Sequence, residues 1–135
     1  MRVVLDTNIW VSSLSRRSEF NWVFQAFLDE AYTLVVSHEI LLEYEEILNI
    51  KYGEASVAVF FNLMDEAKNV EFVEPHFFWN LLSDPDDNKF VDAAIAAGAD
   101  YLVSEDRDFR SLQSVEFPEV TVLRMHEFEQ LLKNT

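Results

Sequence analysis

The segment RVVLDTN, residues 2–8, decides which fold the sequence predicts. Its branched apolar residues begin almost at the start of the chain and stop at Asp6, and a second apolar pattern with Ile9 and Trp10 follows at once. Continuous apolar runs that end in turn-forming residues are typical of strands covered on both faces, so the segment predicts a buried strand, a tight turn and a helix. Ligands of open α/β sheets bind beyond the carboxyl ends of the strands, where Asp6 lies. Asp6 is therefore either a functional acid or only the cap of the following helix, and this segment alone does not decide between them.

The rest of the chain alternates between strand and helix patterns. Further strands are predicted at residues 32–36, 70–73, 101–104 and 120–123, and helices around residues 9–14, 20–28, 37–48, 57–68, 84–98 and 128–132, with a helical turn near 109–112. Strands that alternate with helices form parallel sheets with helices on both faces. The predicted fold is an α/β three-layer sandwich with a central, mostly parallel sheet of about five strands. All of residues 1–135 are expected to form one domain.

The segment His76–Leu82 interrupts this alternation. Phe77, Phe78 and Trp79 make it too apolar for a free loop. We expect it to fold against the body of the protein or against a second subunit.

Composition excludes several classes of protein. Half of the residues are apolar and only 2 are Gly, so disorder is not expected. The chain has no Cys, which excludes disulfides and thiolate metal sites. The first apolar run stops at Asp6, too early for a signal peptide, and no run approaches the roughly 18 apolar residues of a membrane span. We therefore expect a cytoplasmic protein without a membrane partner.

Net charge limits the possible partners. The chain carries 25 acidic and 10 basic residues, a formal net charge of −15. Attraction to nucleic acid phosphates comes from Lys and Arg, so a nucleic-acid function requires a local basic patch, bound cations or both. The acidity keeps a cytosolic surface soluble, and it also suits a basic partner protein.

Asp87 stands out among the acids of the predicted helix after Asp84. Successive residues of a helix turn by about 100°, which places Asp87 on the face of Phe90 and Val91, while Asp92 points well away from that face. A carboxylate on a buried face is unfavourable unless it is paired, protonated or bound to a metal ion. The alternative is that Asp87 closes a capping box that Asp84 opens.

Carboxylates from separate segments predict a metal site. Asp106 follows a predicted strand as Asp6 does, so both can emerge at the same edge of the sheet. In the predicted helix at residues 37–48, Glu43 and Glu45 flank the apolar stripe on opposite sides, and spacing does not choose between them. Oxygen ligands without a His or Cys cluster suit a hard cation such as Mg²⁺ or Mn²⁺.

Four sequence blocks resemble those of the PIN-domain nucleases. They are LDTN at residues 5–8, Ser37 with LEY at residues 42–44, DPDDNKF at residues 84–90 and ADYLVSEDRDF at residues 99–109. The blocks occur in the same order as in the family, and together they extend over nearly the whole chain. The resemblance is closest to the bacterial and archaeal branch of VapC-like toxins, which act in toxin–antitoxin pairs.

The resemblance implies a PIN-like sandwich and a divalent-metal ribonuclease site built from four acids. It carries catalytic and metal-binding roles to Asp6, Glu43, Asp87 and Asp106, and it thereby selects Glu43 over Glu45. The implied auxiliary residues are Asn8 and Ser37 for positioning water, Asp86 and Asp92 for sharing the role of Asp87, and Asp108 for sharing that of Asp106.

The function implied by the resemblance is hydrolysis of phosphodiester bonds in single-stranded RNA with Mg²⁺ or Mn²⁺. The metal ion would activate water and stabilise the leaving oxygen. The candidates for holding RNA phosphates are Arg16, Arg17, Arg107 and Arg110, each of which could instead be an ordinary surface charge. The family also implies a cognate antitoxin, whose tail enters the acidic site, and a homodimer.

Two other functions fit parts of the sequence. An Asp at the end of a first strand suggests Mg²⁺-dependent phosphoryl transfer through an acyl-phosphate, but the additional acids that such domains carry beside this Asp are missing at Asp6. A catalytically weak PIN-like module that binds a basic partner is favoured by the acidity and by the aromatic segment. The presence of all four acids favours the nuclease.

Overall fold

The computed structural model describes residues 1–134, and its central strand is buried on both faces. Val3, Val4 and Leu5 are each 0% exposed. Because successive side chains of a strand point to opposite faces of the sheet, their complete burial requires cover on both sides. The predicted α/β sandwich is confirmed, and the apolar run that opens the sequence forms the middle of its sheet.

Strands and helices alternate along residues 1–134. The strands are β1 Arg2–Leu5, β2 Thr33–Val36, β3 Val70–Phe72, β4 Tyr101–Val103 and β5 Val122–Leu123. The α-helices are α1 Thr7–Ser13, α2 Asn21–Leu28, α3 His38–Tyr52, α4 Glu54–Glu66, α5 Asn88–Ala97 and α6 Met125–Lys133. Two 3₁₀ helices, Pro85–Asp87 and Arg107–Ser114, precede α5 and follow β4. None of the helices described is both long and apolar enough to cross a membrane.

The sheet has the strand order β3-β2-β1-β4-β5, and every pairing is parallel. β1 pairs with β2 on one side and with β4 on the other, where Leu5 lies opposite Val103. Parallel pairing places the carboxyl ends of all strands at one edge of the sheet. The residues that follow β1 and β4 therefore emerge side by side.

Several predicted boundaries differ from the structure by a few residues, among them the start of α5 and the length of β5. The helix expected from Asp84 onwards begins as a 3₁₀ turn, because Oδ1 of Asp84 accepts from the amide of Asp86 at 3.0 Å and holds a tight turn over Pro85. The α-helix itself starts at Asn88. The last strand is shorter than predicted, since only β5 pairs with β4, while Val120 is buried outside the ladder.

The backbone of the aromatic segment His76–Leu82 lies along α5. The amide of Trp79 donates to Oδ1 of Asp92 at 3.1 Å, and the amide of Leu82 donates to Oδ1 of Asn88 at 3.0 Å. The prediction that this segment folds against the protein is confirmed for its backbone, whereas its Phe side chains face solvent. Asp92 was predicted to point away from the face of Phe90 and Val91, and it is nevertheless only 5% exposed, because the segment covers its side of α5.

An aromatic cluster surrounds Trp10 in α1, the helix that follows Asp6. Trp10 of α1 is 0% exposed, and its ring contacts those of Phe24, Phe27, Tyr44 and Phe60 at centroid distances of 5.2–6.4 Å. These rings come from α2, α3 and α4. The cluster therefore fixes α1, which begins directly after Asp6, against three other helices.

Candidate active site

The carboxyl ends of β1 and β4 bring two predicted acids together. The strands are parallel neighbours, and the amide of Asp6 donates to the carbonyl of Val103 at 3.1 Å. Ser104 and Asp106 come just after β4, so they leave the sheet beside Asp6. The fold thereby joins groups that lie almost a hundred positions apart in the sequence.

The hydroxyl of Ser104 links these two acids. It donates to Oδ2 of Asp6 at 2.9 Å and accepts from the backbone amide of Asp106 at 3.0 Å. Although Asp6 stands in the N-cap position of α1, its side chain makes no capping hydrogen bond. The interpretation of Asp6 as only a helix cap is therefore wrong, and its carboxylate is held at the strand ends.

Asp87, Asp106 and Asp108 form a cluster that could hold a metal ion. Each offers one carboxylate oxygen, and the three oxygens lie within 4.8 Å of one another. Asp87 ends the 3₁₀ helix before α5, while Asp106 caps the second 3₁₀ helix by accepting from the amide of Asp108 at 2.9 Å. A donor set of carboxylates alone suits a hard divalent cation, so these residues fit Mg²⁺ or Mn²⁺.

Burial and neighbouring negative charge raise the pKa values of two of these acids. Burial raises the pKa of Asp87 to about 6, and the carboxylates of Asp84, Asp106, Asp6 and Asp108 add to this shift. Burial also raises the pKa of Asp6, where the hydrogen bond from Ser104 opposes the shift and the charges of Glu43 and Asp106 reinforce it. Concentrated negative charge of this kind is relieved by a bound cation.

Glu43 reaches this region from α3 and is held by two donors. Its Oε2 accepts from the hydroxyl of Thr7, and its Oε1 accepts from Nζ of Lys89 at 2.7 Å. The Glu43 charge also raises the pKa of Asp6. Glu45, by contrast, lines a separate groove between α3 and the start of α4 with Glu54. Of the two glutamates that spacing could not separate, the structure thus places Glu43 beside the other acids.

A hydrogen bond from Tyr44 holds the part of α3 that carries Glu43 against the end of β1. The buried hydroxyl of Tyr44 donates to the carbonyl of Leu5 at 2.6 Å, one residue before Asp6. The helix itself starts at a capping residue, since Oγ of Ser37 accepts from the amide of Ile40 at 3.2 Å. These two bonds fix both the start of α3 and its contact with β1.

We expect Lys89→Gln to destabilise the metal-free protein and to strengthen its binding of divalent cations. Lys89 and Glu43 have side chains only 15% and 26% exposed, so removing the ammonium leaves a partly buried carboxylate among other acids. The expected loss is about 1–2 kcal/mol, between the values typical of exposed and buried pairs. Urea denaturation in EDTA and calorimetric titration with Mn²⁺ measure the two effects.

Lys133→Gln provides the matched control for this substitution. Its Nζ lies 3.8 Å from Glu129 in an exposed pair on α6, where the expected change in stability is small. Equal stability of the Lys89 variant and wild type would show that the pair does not balance the charge of Glu43.

The remaining predicted site residues occupy several places. Asn8 and Asp86 are exposed, Ser37 caps α3, and Asp92 binds the amide of Trp79 instead of joining the cluster of Asp87. The four candidate arginines are all exposed: Arg16 and Arg17 lie in the loop after α1, and Arg107 and Arg110 lie on the 3₁₀ helix that Asp106 caps. Arg107 and Arg110 therefore lie on the same 3₁₀ helix as Asp108, a member of the acid cluster.

Three residues that contact the acids, Thr7, Lys89 and Ser104, have no role predicted from the sequence. Ser104 had a usable signal, because a hydroxyl directly after a strand lies at the same edge as Asp6. Thr7 is adjacent to Asp6, but its hydroxyl is directed to Glu43 by the packing of α1 on α3, which spacing does not reveal. Lys89 follows Asp87 by two positions, yet it points to a different helix.

The sequence and the fold are similar to those of known proteins. The family model described as PIN domain matches residues 2–108. Among solved structures, VapBC2 from Rickettsia felis, bound to a DNA fragment from its promoter, contains a chain with a TM-score of 0.64 and 15% identity, covering 92% of this chain and 98% of that one. The sarcin–ricin loop cleaving toxin VapC20 of Mycobacterium tuberculosis has a TM-score of 0.60 and 15% identity, covering 84% and 97%. FitAcB from Neisseria gonorrhoeae has a TM-score of 0.58 and 13% identity, covering 90% and 96%. The comparison with curated proteins gave no match.

Proposed function

Because this chain belongs to the PIN domain family, we propose that it is a divalent-metal-dependent endoribonuclease that hydrolyses single-stranded RNA. The observation that carries the proposal is the cluster of Asp87, Asp106 and Asp108, whose carboxylate oxygens lie within 4.8 Å of one another. Asp6 adjoins this cluster through Ser104. An all-carboxylate site at the carboxyl ends of parallel strands is suited to metal-assisted hydrolysis.

The residues that would hold the metal ion are Asp87, Asp106 and Asp108, with Asp6 beside them. A bound Mg²⁺ or Mn²⁺ supplies the activation of water and the stabilisation of the leaving oxygen. The protein's own contribution is orientation: Ser104 fixes the carboxylate of Asp6, and the 3₁₀ helix fixes Asp106 against Asp108. Glu43 extends the negative surface, and its ammonium partner limits the local charge.

Arg107 and Arg110 are the proposed contacts to RNA phosphates, because they lie on the 3₁₀ helix that contains Asp108 and is capped by Asp106. We expect Arg107→Glu with Arg110→Glu to weaken RNA binding and to reduce the salt dependence of log K by about 1.4 for two lost phosphate contacts. Fluorescence anisotropy over a range of salt concentrations measures this slope. The same reversal at Arg16 and Arg17 is the comparison, and an unchanged slope in the first variant would remove Arg107 and Arg110 from the RNA interface.

We further propose that the protein is the toxin of a toxin–antitoxin pair. The similar fold of VapC20, which is described as a toxin, and of VapBC2 and FitAcB supports this assignment. The net charge of −15 suits an antitoxin segment whose Lys or Arg enters the acid cluster in place of a metal ion. A cytoplasmic location and a homodimer belong to the same proposal.

The test is an RNA cleavage assay with purified protein. A single-stranded RNA is incubated with Mg²⁺, with Mn²⁺ and with EDTA, and isothermal calorimetry on the same sample measures metal binding. Cleavage that requires the metal supports the proposed function. Metal binding without cleavage of any RNA would instead favour the partner-binding module. A protein that binds no divalent cation would contradict the metal site itself.

A further inference from the structure

A small cavity adjoins the acid site on the side of the aromatic segment. It has a volume of about 180 Å³ and lies between the start of α3, the chain after β3 and α5. Lys89 is shared between the cavity and the acid site, since it lines the cavity while its Nζ lies 2.7 Å from Oε1 of Glu43. The cavity and the acid site therefore meet at Lys89.

Asp92 gives the cavity a hydrogen-bond acceptor. This residue is 5% exposed, lines the cavity, and uses Oδ1 to accept from the amide of Trp79 at 3.1 Å. Within residues 1–134 no second donor contacts its carboxylate, and Oδ2 is not among the buried atoms without a partner, so it is accessible. An accessible carboxylate oxygen without a protein partner can accept from the N–H group of a ligand.

Phe78 gives the cavity an aromatic surface. Its side chain lines the cavity and is 67% exposed, although the backbone of its segment is fixed against α5. Exposed aromatic rings beside a nucleic-acid site stack on the bases of single strands, because every base has a π-face. An acceptor next to a stacking ring is the arrangement with which proteins bind unpaired bases.

The charge of the cavity selects the chemistry of its ligand. Glu39, Glu74 and Asp92 line it, and the ammonium of Lys89, which also lines it, is paired with Glu43. Hydrogen-bond donors are therefore favoured and a phosphate group is repelled. The volume corresponds to about six waters, which is enough for one base and too little for a whole nucleotide. Carboxylates accept from exocyclic amino groups, as in contacts with N4 of cytosine, whereas uracil presents O4 as an acceptor at the equivalent position.

We propose that this cavity is a base-specificity pocket, which stacks the nucleobase beside the scissile phosphate on Phe78 and binds its amino group to Asp92. The proposal rests on the proposed ribonuclease function and adds a substrate class to it: RNA with an amino-bearing base next to the cleaved bond. Lys89, which lines the cavity and pairs with Glu43, then lies between the base and Glu43.

Titration with free nucleosides tests the pocket without cleavage. The amide of Trp79 donates to Asp92, so its NMR resonance reports directly on a base that binds this carboxylate. We expect cytidine, adenosine or guanosine to shift this resonance with an affinity roughly tenfold higher than that of uridine. In Asp92→Asn, the new amide N–H₂ can donate to O4 of uracil, so the preference moves toward uridine. Asp65→Asn, an exposed acid on α4, is the matched control.

Phe78→Ala tests the stacking contact separately. The side chain is exposed, so the variant is expected to fold, and it should bind every nucleoside more weakly. Phe77→Ala removes a neighbouring exposed ring that does not line the cavity, and it should bind like wild type.

The outcomes separate the pocket from the nuclease. Nucleoside binding with the expected preference, in a protein that cleaves no RNA, would support the pocket and contradict the ribonuclease. RNA cleavage without a base preference beside the cut, together with no shift of the Trp79 amide, would overturn the pocket alone. An equal response to uridine and cytidine would also overturn it, because the acceptor would then have no role in selection.

Discussion

Asp87→Asn is expected to lower metal-dependent RNA cleavage by at least about 10²-fold, because it removes one of the three carboxylates grouped within 4.8 Å. A neutral amide oxygen is a poorer ligand for a hard cation than a carboxylate. Calorimetry with Mn²⁺ and a cleavage time course on the same preparation measure affinity and rate together. Both should fall, since Asp106 and Asp108 remain but no longer complete the cluster.

The same substitution should stabilise the metal-free protein above pH 6. The folded protein holds the pKa of Asp87 at about 6, above the ordinary value for Asp, so the folded state binds more protons than the unfolded state between these two values. Stability therefore falls as pH rises from about 4 to 6. Asn cannot ionise, and after allowance for solvent screening we expect a gain of about 1 kcal/mol, a few degrees in Tm, in EDTA at pH 8.

These opposite effects distinguish a lost ligand from a damaged fold. A misfolded variant would lose both activity and thermal stability, whereas the expected variant loses activity and melts higher. Asp86→Asn is the control, because Asp86 is exposed and contributes its backbone amide, not its side chain, to the turn capped by Asp84. Cleavage by Asp87→Asn at the wild-type rate would show that the metal centre lies elsewhere.

The sequence was sufficient to predict the fold and the position of Asp6 and Asp106. Apolar runs that end in acids specify buried strands, and parallel pairing of such strands brings their carboxyl ends together without further information. Asp108 appeared only as an alternative to Asp106, because spacing cannot show that a 3₁₀ turn places both carboxylates near Asp87.

The spacing of apolar residues along a helix could not predict contacts between separate elements. Asp92 was predicted to point away from the apolar stripe of α5, but its burial could not be predicted, because a segment without regular structure covers that side of the helix. The pairing of Lys89 with Glu43 could not be predicted either, because it depends on how α5 packs against α3. The partners of Asp92 and Lys89 lie on other elements of the fold. The spacing of residues along α5 therefore cannot predict either contact.

Trp10→Ala should cost about 3–5 kcal/mol of unfolding free energy, a large part of the total stability of an ordinary domain. Trp10 is fully buried, and its ring is surrounded by four others, with the nearest centroid, that of Phe27, at 5.2 Å. Removing it leaves a cavity that α1 to α4 cannot close without moving. The midpoint of urea denaturation measures this loss, provided that the slope of the transition is unchanged.

Trp10→Phe should cost much less, and the comparison identifies the physical cause. Nε1 of Trp10 is the buried side-chain polar atom that has no hydrogen-bond partner within residues 1–134, so Phe removes an unsatisfied donor while it keeps a ring. Relief of that donor offsets part of the lost packing, and we expect a net change of about 1.5 kcal/mol or less. Trp79→Ala, at a partly exposed ring, is the control for loss of an aromatic side chain outside the core.

Loss of the Trp10 ring should also affect the active site, because Trp10 lies in α1. This helix begins one residue after Asp6, and its Thr7 holds Glu43. A shift of α1 into the space left by the ring would therefore separate Asp6 from Glu43. A Trp10→Ala variant that still folds at low temperature should therefore bind Mn²⁺ more weakly than Trp10→Phe. If both variants bind Mn²⁺ like wild type, the acids are positioned by the strand ends alone, and the aromatic cluster contributes only to stability.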